Sequence, residues 1–170
     1  MSNLKQDDME VLKILYENDK IILPILRGDR TIYDSKDVFK SWIDPDFKRL
    51  NLNKEGKATP ETEVAVYEMV KNATFKELFT SLSDNLDVLC LTQDQIVDFC
   101  VKYPERLRQD GHGTFFLTKR EFEKPATEDN LFVVGAHVIS DGLHVFVGHF
   151  YDISVWNAGL RFFLVIPRLS

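Results

Sequence analysis

Phe132-Val133-Val134-Gly135-Ala136-His137-Val138-Ile139-Ser140-Asp141-Gly142-Leu143-His144-Val145-Phe146-Val147-Gly148-His149-Phe150 reads as a β-hairpin. Two β-rich runs meet at Asp141-Gly142, a dipeptide suited to the tight turn that matches strand twist. A two-residue turn there pairs Ser140 with Leu143, Ile139 with His144 and His137 with Phe146. The pleat then assigns faces. Val134, Ala136, Val138, Val145, Val147 and His149 share one face, nearly all apolar, which is the expected core side. Val133, Gly135, His137, Ile139, His144, Phe146, Gly148 and Phe150 share the other.

The stretch holds three of the four histidines, so the face assignment tests a possible active site. His137 and His144 become diagonal neighbours about 7 Å apart at the backbone, within reach of one ligand or metal ion. His149 points the other way. A catalytic zinc wants a third protein ligand, and no carboxylate lies at a fixed offset on this face. Asp141 at the turn and Asp152 past the strand end are the acids that a bend could bring in. His137, His144 and Asp141 are therefore the candidate catalytic groups, and His137, His144 and Asp152 the candidate metal set. Half-packed strand histidines are the competing reading, and the one preferred; no cofactor is expected.

Working outward, Thr114 to Thr118 and Leu160 to Ile166 continue the strand-like pattern, with Lys119 to Asn130 as a charged connection. Upstream the period is helical. Met9, Val11, Leu12, Leu15 and Tyr16 predict a helix over residues 6–18. Ile21 to Leu26, interrupted by Pro24, predicts an edge strand, and Thr31-Ile32-Tyr33 a short one. A helix capped by Asp34 or Ser35 is expected to end or bend at Pro45. Thr59-Pro60-Glu61 predicts a helix start with Val66, Met69 and Val70 on its apolar face and Glu61, Glu63 and Glu68 in solvent. Thr74-Phe75-Lys76-Glu77 and Thr92-Gln93-Asp94-Gln95 have capping-box spacing before further helices. The reading is one α+β domain over residues 1–170, with a mainly helical portion (1–110) packed on a C-terminal antiparallel β-meander (113–168).

Composition excludes several functions. A formal charge of -6 without a dense Lys or Arg run argues against nucleic acid as a partner. No apolar run reaches the roughly 20 residues of a membrane span, and the two cysteines, Cys90 and Cys100, are too few for a disulfide framework. A reducing cytoplasm is the expected location. No P-loop, dinucleotide fingerprint, His-Glu-x-x-His or Gly-x-Ser-x-Gly elbow is present. Arg27-Gly28-Asp29 and Gly111-His112-Gly113 read as turns.

The spaced pattern Phe115-Phe116-Leu117, Val134, Gly142-Leu143, Val145, Val147, Phe150, Val155-Trp156-Asn157-Ala158-Gly159 and Arg161-Phe162-Phe163 resembles a set of short uncharacterised bacterial proteins, many from minimal-genome candidate lineages. The order and spacing of Glu63 to Gly113 look similar to the same set. The resemblance covers roughly the last two thirds of the chain and implies no activity, cofactor or partner.

Two functional expectations result. The first is a non-enzymatic module that binds another protein through the terminal sheet, with Phe146, Phe150, Tyr151 and Trp156 as interface candidates. The second is a metal-assisted or acid-base hydrolase using the hairpin histidines. Homo-oligomerisation through a sheet edge is a further possibility.

Overall fold

A computed structural model describes residues 10–170 and has α+β architecture. Its strands are β1 (Leu12–Leu15), β2 (Ile21–Leu23), β3 (Trp42–Ile43), β4 (Thr62–Met69), β5 (Gly113–Lys119), β6 (Leu131–Ile139), β7 (Gly142–His149) and β8 (Phe163–Pro167). Its α-helices are α1 (Asp46–Arg49), α2 (Phe75–Thr80) and α3 (Gln93–Lys102). All eight strands join one sheet in the order β1-β4-β8-β5-β6-β7-β3, with β2 also paired to β4. The β5–β8 and β3–β7 pairs are parallel and the rest antiparallel. The sheet is therefore mixed rather than a purely antiparallel meander.

The N-terminal portion departs most from expectation. Leu12–Leu15 is a strand where a helix over 6–18 was expected; residues 6–9 of that segment lie outside the described residues. Thr62–Met69 is likewise a strand, with Val64 and Val66 on one face and Ala65 on the other, all buried. A strand covered on both faces is apolar on both, and a continuous apolar run satisfies helical and strand periods alike. Residues 34–41 form successive turns rather than a helix, and β3 follows them. Pro45 precedes α1 instead of closing a helix, since its φ of -62° already fits the helical turn. Residues 10–110 thus contribute four strands as well as the three α-helices of the described residues.

Both capping boxes are present. Thr74 Oγ1 accepts from the Glu77 amide while Glu77 accepts from the Thr74 amide, and Thr92 and Gln95 repeat the exchange. The helices they start cover opposite faces of the sheet. Ile96, Val97, Phe99 and Cys100 of α3 pack on Phe116, Val134, Val145 and Val165. Phe75, Leu78 and Phe79 of α2 pack on Phe115, Leu117, Val133 and Leu164. The expected single core side is thereby corrected to two, and all seven residues of β5 are buried.

Candidate functional site

The hairpin forms with its turn one step earlier than expected. Ser140 and Asp141 make the loop, Gly142 pairs with Ile139 at a φ of +119°, and His137 lies directly opposite His144. The pairing differs by two residues from the expected register, so every face assignment is retained. The diagonal relationship is replaced by a direct one.

His137 and His144 place their ring centroids 5.8 Å apart. Trp42, brought alongside by the parallel β3–β7 pair, sets its ring 4.5 Å from that of His144. Phe146 lies over Gly135, where a Cβ would overlap its ring, and approaches His137 edge-on at 5.1 Å. His137 Nδ1 is 2.9 Å from the Gly111 carbonyl oxygen. A carbonyl only accepts, so Nδ1 carries the proton and Nε2 keeps its lone pair. Burial holds the His137 imidazole below its ordinary pKa against the Gly111 hydrogen bond, and the neighbouring His144 and His112 lower it further. The result is a neutral imidazole with a free basic nitrogen, able to accept a proton or bind a metal ion.

The acids stand apart from this pair. Asp141 is exposed at the turn, and Asp152 is held below the usual carboxylate range by hydrogen bonds from Ser154. Among the described residues, no three His, Cys, Asp or Glu side chains are grouped to hold one ion. Neither Asp141 nor Asp152 therefore completes a set with His137 and His144. Burial pushes both the Cys90 and Cys100 thiols up to about 12, which leaves them un-ionised and inert at neutral pH.

The four aromatic interface candidates separate by depth. Phe150 is 1 % exposed and packs against Phe79, so it belongs to the interior under α2. Phe146 is half-buried between His137 and Phe115. Trp156 is half-buried against Phe75 and Phe115, 5.0 and 5.1 Å away between ring centroids. Tyr151 is 45 % exposed, with its ring tilted against that of His149 at 4.9 Å.

Two residues outside the interface candidates dominate the surface here. Ile153 is 88 % and Val155 64 % exposed, in the connection between β7 and β8. Their alternation with Asp152 and Ser154 was a visible signal, but nothing in it distinguished a projecting loop from a short strand. The loop is pinned along its length. Asp152 accepts from the Ser154 amide at 2.8 Å, and Trp156 exchanges both backbone hydrogen bonds with Ala73. Asn72 accepts from the Ala158 amide, and Asn157 from that of Gly159, each at 2.8 Å.

Comparison of the chain with family models, curated proteins and solved structures returns no match. No helix among the described residues is long and apolar enough to cross a membrane.

Proposed function

We propose that this chain is a protein-interaction module whose contact element is the loop from Tyr151 to Leu160. The observation that carries this reading is the near-complete exposure of Ile153 within a loop tied down on both sides. Projecting two aliphatic side chains into water is unfavourable unless a partner covers them. A loop already held in shape loses little conformational freedom on binding, which favours affinity from a small area. Tyr151, Ile153, Val155 and Leu160 supply the exposed apolar surface, and Trp156 anchors it to the core. So few residues fit a small, reversible contact with another protein rather than an obligate assembly.

The test compares immobilised wild type with the Ile153→Asp, Val155→Asp double variant in host lysate. A protein retained by the wild type, lost by the variant and bound again when purified supports the reading, provided both baits melt alike. Identical capture by the two baits overturns it. So does light scattering that shows a wild-type dimer absent from the variant, which reassigns the loop to self-association.

A further inference from the structure

We propose that the groove beside β3 binds an extended acidic segment of another protein, one apolar side chain of which seats against Trp42. Tyr33, Phe39, Trp42 and Pro45 line this groove together with Lys36 and Lys40, and it encloses about 330 Å³. Such a volume holds an apolar side chain or two and lies at the lower end of ligand sites. None of its residues belongs to the Tyr151–Leu160 loop, so the two surfaces are independent.

Successive turns build the wall of the groove. The Ser35 hydroxyl donates to the Thr31 carbonyl at 2.6 Å, and the Val38 and Phe39 amides both donate to the Ser35 carbonyl. Phe39 is thereby held in the core, while Trp42 remains 42 % exposed. The parallel β3–β7 pair sets the Trp42 ring 4.5 Å from that of His144, which restrains it. A large aromatic surface already held in place loses little freedom on binding and makes an effective anchor. β3 is also the last described strand of the sheet on this side, so an extended segment can lie along its outer edge.

Charge selects the occupant. Both charged residues lining the groove are lysines, and neither has an ion-pair partner among the described residues. The neighbouring acids are committed elsewhere. Asp34 accepts from the Thr31 hydroxyl at 3.1 Å, Asp37 pairs with Arg30 at 3.5 Å, Asp46 pairs with Arg49 at 2.9 Å, and Asp44 accepts two backbone amides. Two unpaired cations beside an exposed indole, on a chain whose formal charge is -6, favour a segment in which Asp or Glu flanks the apolar anchor.

The full-length chain carrying Trp156→Phe, which leaves Trp42 as its one tryptophan, is titrated at low salt with poly(Glu,Tyr), a random copolymer offering acids and aromatic anchors at many spacings. Trp42 emission should shift to the blue and saturate. In the otherwise unaltered chain, Lys36→Glu with Lys40→Glu should weaken binding of the labelled copolymer by roughly tenfold or more, and Trp42→Ala by roughly thirtyfold. Both lysines are exposed, so their reversal leaves the fold intact and keeps the test decisive even where Trp42→Ala unfolds. Ile153→Asp with Val155→Asp should leave copolymer binding unchanged, which separates the groove from the loop. Absence of saturable binding, equal binding by the charge-reversed variant, or equal affinity for poly(Glu) without tyrosine overturns the groove. So does tighter binding of an oligothymidylate, which reassigns the surface to nucleic acid.

Discussion

The Tyr103 hydroxyl accepts a hydrogen bond from the Ile22 amide at 3.1 Å and donates one to the Ile22 carbonyl at 2.9 Å. One phenol at the end of α3 thereby satisfies both outward backbone groups at the middle of β2. An edge strand with free groups is a template for pairing with another chain, and this one is stoppered by a side chain. Tyr103→Phe removes the stopper with little change of shape. The variant should lose about 1–3 kcal/mol in urea unfolding and show more self-association by light scattering.

Asp44 plays a related part at the opposite edge. Its two carboxylate oxygens accept from the Asp46 amide at 2.9 Å and the buried Val147 amide at 3.2 Å, continuing the β7 ladder past the end of β3. Asp44→Ala leaves the Val147 amide unpaired and should cost about 2 kcal/mol. Asp44→Asn keeps an acceptor and should cost less, so chemical denaturation of the pair separates the hydrogen bond from the charge.

Gly135 is required by Phe146, whose ring fills the space a Cβ would occupy. Gly135→Ala should destabilise by about 1–3 kcal/mol through overpacking. Combining it with Phe146→Leu should recover part of that loss, a non-additivity measured by a double-mutant cycle.

His137 gives the fold a pH dependence with a definite sign. Its folded-state pKa lies below the ordinary value, chiefly because of burial. The unfolded chain therefore takes up the proton first as pH falls. The contribution to stability is complete above the unfolded value of about 6.5 and declines as pH drops from there toward the lower folded value, below which the loss levels off. Thermal melts between pH 8 and 5 should show this decline, and His137→Asn should reduce it.

Anchor and contact residues in the β7–β8 connection should respond differently. Trp156 packs among Phe75, Phe115 and Phe162, yet its buried indole N–H has no hydrogen-bond partner among the described residues. Trp156→Ala should cost about 3 kcal/mol, whereas Trp156→Phe, which discards the unpaired donor, should cost less than about 1.5 kcal/mol. Ile153→Ser should change stability by no more than about 0.5 kcal/mol. Urea midpoints for the three variants check the ranking.

Features set by neighbours in the chain were legible from sequence. The two capping boxes are contacts between residues three apart, and the hairpin faces depend only on a period of two. Even a misplaced turn left His137 and His144 on one face. What sequence concealed depends on distant partners. Val64 and Val66 are strand residues because β8 and two covering layers enclose them, and no local signal announces that burial. β3 is two residues long and exists only because Trp42 and Ile43 find β7. The Gly111 carbonyl that fixes the His137 tautomer lies 26 residues away, in a loop whose path no periodicity describes.

The position of β8 governs the order in which the molecule can be completed. Among the described strands, the group β1, β2 and β4 and the group β5, β6, β7 and β3 are joined in the sheet only through β8. Residues 163–167 leave the ribosome after every other described strand. Until they arrive, the edges of β4 and β5 that β8 covers in the finished sheet have no partner there. That interval is when aggregation or chaperone capture competes with folding, and insertion of one five-residue strand ends it.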